Sequence, residues 1–125
     1  DVTARDFQRE DGVFTRGKGF NTFCPLGPWI LIDDREELNR DRQIRCWVDD
    51  VLKQDSSTSD LLFGISTLVS FVSNIMTLLP GDVIATGTPS GVSPLSDGQQ
   101  VQIEIEGIGM LRNPVVNRED RCQVS

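Results

Sequence analysis

Three segments of the chain carry side chains whose types and spacing suit the binding of an anion or a metal ion. In the first, residues 1–8, a carboxylate, a guanidinium and an amide stand at Asp1, Arg5 and Gln8. If this segment is helical, the i, i+4 and i+7 spacing places all three on one face. A carboxylate ligates hard divalent cations, and an arginine offers a planar pair of donors to a substrate carboxylate. The alternative is a charged helix face that meets only water.

The second segment places Lys18 between Gly17 and Gly19, before an aromatic stretch that contains Thr22. Glycine on both sides of the lysine allows the backbone to come close to a ligand. The ammonium group would then stabilise a developing oxyanion or enolate, or bind a carboxylate. The alternative is a surface lysine on a flexible loop.

The third segment is an apolar run, residues 83–86, that leads into a loop rich in glycine and hydroxyl groups, residues 87–91. We predict a short strand followed by a loop suited to anions. The alternative is a plain β-turn. The carboxylates of Glu104 and Glu106 stand on the polar face of another predicted strand, and we interpret them as solvated surface rather than as a catalytic acid–base pair.

Composition excludes several classes of function. The chain has 125 residues, which corresponds to one domain, and 12 basic against 19 acidic residues give a net charge of −7. Because the chain has no histidine, it does not by itself hold a Ser-His-Asp triad, a Cys-His dyad or a histidine-ligated zinc site. The acidic balance argues against binding to nucleic acid, and no apolar run reaches the roughly 18 residues of a membrane span. The three cysteines, Cys24, Cys46 and Cys122, are irregularly spaced, which predicts reduced thiols and a cytoplasmic location.

Periodicity predicts strands on both sides of one main helix. Residues 44–48 alternate as in a strand, and Asp49-Asp50 is a plausible hairpin turn into residues 51–52. Apolar residues then recur at three- and four-residue spacing, which predicts a helix over about 59–79.

Local signals mark the ends of that helix and a second hairpin. Ser57 and Asp60 fit a capping box at its start, and Pro80-Gly81 fits its end. Residues 101–106 alternate as in a half-buried strand, with a hairpin partner at 110–116. The order of strands, one helix and strands predicts a β-rich α+β domain.

The three segments together resemble one family. The motifs DVTARDFQ, GKGFNTFCPLGPW and LPGDVIATGTPSGV, followed by IEGIGMLRNPV, are similar in order and spacing to the fumarylacetoacetate hydrolase family. The bacterial branch described as 2-hydroxyhepta-2,4-diene-1,7-dioate isomerases, or as acylpyruvate-type hydrolases, is the most similar. The resemblance covers residues 1–116, as the C-terminal part of a catalytic domain, and leaves 117–125 as a tail.

The resemblance implies a fold, a metal and site residues. The fold is a mixed β-roll with one main helix, in a homodimer. A Mg²⁺ or Mn²⁺ ion chelates a small anionic 2-oxo or 1,3-diketo acid. The roles implied by position are a metal carboxylate at Asp1 with Thr22 nearby, the active-site lysine at Lys18, residues that polarise or orient the substrate at Arg5 and Gln8, and a carboxylate-binding loop at Gly87 and Thr88.

Departures from the family pattern define the alternatives. The other metal ligands of the family, a Glu-x-Glu pair, and its general base, a histidine working with a glutamate, belong before the Asp1 motif. We therefore expect the chain to be the C-terminal catalytic half of an enzyme that hydrolyses or isomerises such an acid. The alternatives are a catalytically silent binding or assembly module with the same fold, and a 2-oxo acid decarboxylase of the same family.

Overall fold

The chain folds around one four-stranded antiparallel sheet, as the α+β prediction requires. The computed structural model describes residues 1–32 and 40–117. In chain order the helices and strands are α1 (Arg5–Asp11), α2 (Thr15–Lys18), β1 (Gln43–Val48), β2 (Val51–Ser57), α3 (Ile65–Ser73), β3 (Gln100–Ile105) and β4 (Gly109–Pro114). The strand order is β2-β1-β3-β4. Every strand pairing in the described part is antiparallel.

The predicted turn at Asp49-Asp50 is confirmed and also links two hairpins. Both residues have left-handed backbone, with φ of 49° and 64°, which matches the twist of a two-residue hairpin. The Asp49 carboxylate accepts hydrogen bonds from the backbone N–H of Gln100, at 2.8 Å, and from the side chain of Gln99, at 2.9 Å. The turn therefore holds the start of β3 beside β1, although about fifty residues separate the two strands in sequence.

The register of the strands gives the sheet an apolar and a polar face. One transverse row runs from Gln54 on β2 through Cys46 and Ile103 to Leu111 on β4. Paired residues of neighbouring strands share a face, and successive residues alternate between faces. The apolar face also carries Ile44, Val48, Val101 and Ile105, and the opposite face carries Gln43, Arg45, Gln102 and Glu104.

The main helix is shorter than the predicted range of about 59–79. The capping box of Ser57 and Asp60 is present, but it caps a single 3₁₀ turn, Thr58–Asp60. Leu61 then returns to extended backbone, so that α3 begins after Gly64, at Ile65. After Ser73 the amides of the next residues bond back to Ser70 and Val72 and close the helix before Pro80.

Residues 83–86 are not a strand in the structure, so that prediction is wrong. They follow a turn in which the Leu79 amide donates to the Asp82 carboxylate at 2.8 Å. A strand requires a paired backbone, and none of the strand pairings in the described part includes these residues. At the other hairpin, β4 ends at Pro114 rather than at residue 116, and the Val115 amide bonds instead to the carbonyl of Gln99 at 2.8 Å.

Many large hydrophobic side chains in the described part are exposed. Val48, with 5% of its surface exposed, is the only hydrophobic residue there that is buried, and α3 has no buried residue. Ile32 and Leu62 are 93% and 95% exposed. Residues 25–27 lie against Ile103, Ile105 and Leu111 and cover part of the apolar face. None of the helices described is both long and apolar enough to cross a bilayer.

A β-bulge in β2 packs against the loop that contains Thr88. Cys46 pairs with Gln54 and Trp47 pairs with Leu52, so that Lys53 is an extra residue in β2. A Cβ atom at Gly91 would lie 1.9 Å from the Lys53 carbonyl oxygen. Gly91 also has a φ of 98°, which glycine adopts without strain.

We expect Gly91→Ala to destabilise the intact protein more than Gly98→Ala. Gly98 also has positive φ, at 79°, but a Cβ there meets nothing within 4 Å, so it controls for backbone strain alone. Strain at Gly98 should cost about 1 kcal/mol, and the added clash at Gly91 should bring the loss above about 3 kcal/mol. Chemical denaturation measures both values, and equal losses would contradict the packing of Gly91 on the bulge.

Candidate functional site

The candidate site is built on α1 and α2, which backbone hydrogen bonds hold together. The Val2 amide donates to the carbonyl of Phe23 at 2.8 Å, and the Ala4 amide donates to that of Gly17 at 2.9 Å. Gly17 is buried, and a Cβ atom there would lie 3.1 Å from the Ala4 carbonyl oxygen and 3.3 Å from the Gln8 Cβ. The missing side chain of Gly17 therefore allows α2 to pack closely on α1, and Lys18 ends a helical turn rather than lying on a flexible loop.

The structure brings together four of the predicted site residues. The Lys18 ammonium forms an ion pair with the Asp1 carboxylate. The Arg5 Nη1 donates to Gln8 Oε1 at 3.0 Å, across one turn of α1. The expected single helical face is wrong for Asp1, because α1 begins only at Arg5. Asp1 contacts Lys18 from the segment that precedes α1, and the Val2–Phe23 hydrogen bond fixes this segment.

Phe14 joins the two cations of this cluster, and sequence reasoning missed it. The Lys18 Nζ lies 5.4 Å from the centre of the Phe14 ring, and the Arg5 Cζ lies 6.0 Å from it. Both distances fall in the range in which a ring face attracts a cation. Phe14 is 48% exposed, so the ring stays open to a ligand. The signal in the sequence is an aromatic residue four positions before Lys18, the spacing that stacks two side chains on a helical turn.

The cluster is a set of donors. Gln8 accepts from Arg5 through its oxygen, which leaves its NH₂ group to donate. The cluster therefore offers three donor groups: the guanidinium of Arg5 and the ammonium of Lys18 at the Phe14 ring, and the Gln8 amide beside Arg5. Asp1 balances one of the two positive charges. The site is therefore positive within a chain of net charge −7, and it suits a small anion.

Arg16 supports the site from outside it. Its guanidinium forms ion pairs with Asp11, at 2.5 Å, and with Glu10, at 2.9 Å, and lies 4.4 Å from the centre of the Phe7 ring. The hydrogen bonds from Arg16 lower the pKa of Asp11, and the same contacts raise the pKa of Arg16. These contacts join the end of α1 to α2, so that Arg16 stabilises the fold of the site.

The loop that contains Gly87 and Thr88 is held by β2 rather than by α1 and α2. The Thr88 hydroxyl accepts a hydrogen bond from the Gln54 side chain at 2.9 Å, on the edge strand β2. The chain that follows Lys18 lies instead against β3 and β4. The register places both on the apolar face, but three strand spacings of about 4.8 Å separate the two edges of the sheet. The hydrogen bonds and ion pairs described above therefore do not join Thr88 to the cluster, and its role stays a prediction.

The described residues do not complete a metal site. Within residues 1–32 and 40–117, no three or more Asp, Glu, Cys or His side chains are grouped so that they could hold a metal ion. Asp1 offers one carboxylate, which already pairs with Lys18, and Thr22 is exposed in a turn with a φ of 73°. Glu104 and Glu106 line an open cavity of about 400 Å³ with Gln43 and Arg45, on the polar face of the sheet.

Comparison with known proteins identifies the family of the chain. Residues 1–116 match the family described as "Fumarylacetoacetate (FAA) hydrolase C-terminal". The chain is 40% identical over 124 residues to the rat protein "Oxaloacetate tautomerase Fahd2a, mitochondrial", covering 93% of this chain and 40% of that protein. The chain spans about half the length of the curated relatives it matches.

Solved structures share the fold. The 2-hydroxyhepta-2,4-diene-1,7-dioate isomerase from Mycobacterium marinum is 50% identical, with a TM-score of 0.88 over 94% of this chain and 46% of that one. The maleylpyruvate hydrolase from Sphingobium sp. SYK-6, in complex with manganese(II) and pyruvate, is 41% identical, with a TM-score of 0.70 over 78% of this chain and 37% of that one.

We expect Asp11→Asn to lower stability at neutral pH and to lower it less as the pH falls. Arg16 holds the pKa of Asp11 below its unfolded value of about 3.9, so the stabilisation is complete above that value and is lost as the pH falls through the folded pKa. Thermal midpoints of the intact protein between pH 7 and pH 2.5 measure the effect. In an Arg16→Gln background the same substitution should be silent, and a difference between parent and variant that is as large at pH 2.5 as at pH 7 would contradict the assignment.

Proposed function

We propose, because the chain belongs to the fumarylacetoacetate hydrolase family, that it forms the substrate-holding part of an enzyme acting on a small 2-oxo or 1,3-diketo acid. The reaction is hydrolysis or isomerisation beside a carbonyl group, of the kind that the names of its relatives describe. The observation that carries the proposal is the placement of Arg5 and Lys18 at the ring of Phe14, with Gln8 hydrogen-bonded to Arg5.

The roles of these side chains follow from their charge. A 2-oxo acid carries a carboxylate and develops further negative charge on its carbonyl oxygen during bond cleavage or proton transfer. The Lys18 ammonium and the Arg5 guanidinium place fixed positive charge where that charge develops. The Gln8 amide, whose oxygen is held by Arg5, orients a carbonyl or carboxylate oxygen through its N–H groups.

A divalent cation, Mg²⁺ or Mn²⁺, is part of the proposal. Such an ion would polarise the substrate's carbonyl oxygen as a Lewis acid. Among the residues described, Asp1 alone stands beside the cluster as a carboxylate ligand, and one carboxylate does not make a Mg²⁺ site. In this proposal Asp1 contributes one ligand, Thr22 is a candidate for a second, and the site needs further ligands beside these two.

An activity assay distinguishes the proposed reaction from the alternative functions. A binding or assembly module is favoured by the incomplete metal site, and it would show no turnover in the intact protein with metal present. Decarboxylation would release CO₂ from a 2-oxo acid, and tautomerisation, which the rat relative's name describes, would interconvert keto and enol forms. Assay of the intact protein with Mn²⁺ against an acylpyruvate and oxaloacetate distinguishes these outcomes. The homodimer and the cytoplasmic location stay predictions.

We expect Lys18→Met to lower kcat/KM of the intact enzyme by about 100-fold, in line with the loss of one charged stabilising group. Steady-state kinetics with an acylpyruvate measure the loss. Arg9→Met is the matched control, because Arg9 is an exposed cation on the same pair of helices, outside the cluster. Equal losses in the two variants would show that overall charge, rather than the position of Lys18, accounts for the effect.

We expect Asp1→Asn to weaken Mn²⁺ binding to the intact protein by about tenfold, because a neutral amide is a poorer ligand for a hard cation than a carboxylate. Calorimetric titration measures the affinity without any turnover. Asp6→Asn removes a carboxylate from the exposed side of α1 and should leave the affinity within a factor of two. An unchanged affinity in Asp1→Asn would remove Asp1 from the metal site.

A further inference from the structure

The Gln54 side chain holds the loop that contains Thr88 through two hydrogen bonds. Its Nε2 atom donates to the Thr88 Oγ1 at 2.9 Å and to the Pro89 carbonyl oxygen at 2.9 Å. Gln54 projects from β2 beside the bulged residue Lys53. The position of a Cβ at Gly91 lies 3.2 Å from the Gln54 Cγ, so that the loop closes around this side chain.

The Pro89 contact fixes which way the amide points. A carbonyl oxygen only accepts hydrogen bonds, so the group of Gln54 that faces Pro89 is the NH₂ group and not the oxygen. The same nitrogen faces the Thr88 hydroxyl. Gln54 is therefore the donor in both contacts.

This orientation determines what the Thr88 hydroxyl offers to a ligand. A threonine hydroxyl has one proton to donate and two lone pairs that accept. Because Gln54 donates to one lone pair, the hydroxyl keeps its proton for another partner. Thr88 is exposed, so that partner comes from solvent or from a bound molecule.

We propose that Gln54 is a positioning residue that fixes the Thr88 hydroxyl as a donor to the carboxylate of the substrate. The inference rests on the proposed function and on the carboxylate-binding role that the family resemblance implies for Thr88. A donor hydroxyl binds a carboxylate more tightly than a neutral amide, because hydrogen bonds to charged acceptors are stronger. Gln54 therefore contributes to selection of the acid over its amide without touching either.

The test is a double-mutant cycle on the intact protein, with pyruvate as the probe and Mn²⁺ present. Gln54→Glu keeps the shape of the side chain but replaces its donor with an acceptor, which takes the Thr88 proton. We expect about tenfold weaker binding of pyruvate, little change in the binding of pyruvamide, and less than a twofold further loss when Gln54→Glu is added to Thr88→Val. Gln100→Glu makes the same chemical change at an exposed residue and should bind pyruvate within twofold of the parent protein.

Three outcomes overturn the inference. They are unchanged pyruvate binding in Gln54→Glu, a full tenfold loss that persists in the Thr88→Val background, and equal losses for pyruvate and pyruvamide. The last two assign the effect to the added charge or to displacement of the loop. If Gln54→Glu does not fold, Gln54→Met removes the donor without adding charge. That variant should lose about threefold in pyruvate affinity, and only where Thr88 is present.

Turnover separates this inference from the proposed function. A parent protein that binds pyruvate but converts no acylpyruvate or oxaloacetate contradicts the proposed reaction, while the binding cycle still reports on Gln54. A Thr88→Val variant that binds pyruvate as the parent does removes Thr88 from the site, and the inference fails with it. A parent protein that does not bind pyruvate with Mn²⁺ present overturns both.

Discussion

The candidate site depends on the hydrogen bond from the Ala4 amide to the Gly17 carbonyl oxygen. This bond sets the distance between α1 and α2, and it forms because Gly17 has no side chain to hold the helices apart. Arg5 belongs to one of these helices and Lys18 to the other, so their shared approach to the ring of Phe14 follows from that contact. Two cations so placed repel one another, and attraction to a nearby ring and a nearby carboxylate offsets that repulsion. Phe14 and Asp1 supply these groups.

The width of the sheet sets the distance between its Gln54 edge and its Leu111 edge. Its transverse row begins at Gln54, which holds the Thr88 loop, and ends at Leu111, near residues 25–27 that follow the cluster. A row of four strands spans about 14 Å, which exceeds the length of a small 2-oxo acid. The contacts within the described residues hold the cluster of Lys18 through α1 and α2, and they hold the Thr88 loop through β2.

Sequence patterns predicted the features that depend on neighbours in the chain. The Asp49-Asp50 hairpin, the alternation in β3 and the capping box at Ser57 each need only a few consecutive residues, and all three are present. Predictions that depend on distant partners did less well. Residues 83–86 have the composition of a strand but no paired backbone within the described part. The helix predicted over 59–79 spans only Ile65–Ser73, because the chain is extended at Leu61 and the helix begins after Gly64.

The same distinction separates what the motifs revealed of the site from what they did not. Charged and amide side chains in the motifs predicted Arg5, Gln8 and Lys18, because their chemistry is visible in the residue type. Phe14 and Gln54 carry no charge, and each acts only through a neighbour that the fold brings to it. The ring of Phe14 lies beside two cations, and the Gln54 amide donates to the Thr88 hydroxyl, so neither contact is visible in the residue type. Residue types alone therefore predict the charged and polar groups of a site before they predict the neighbours that position them.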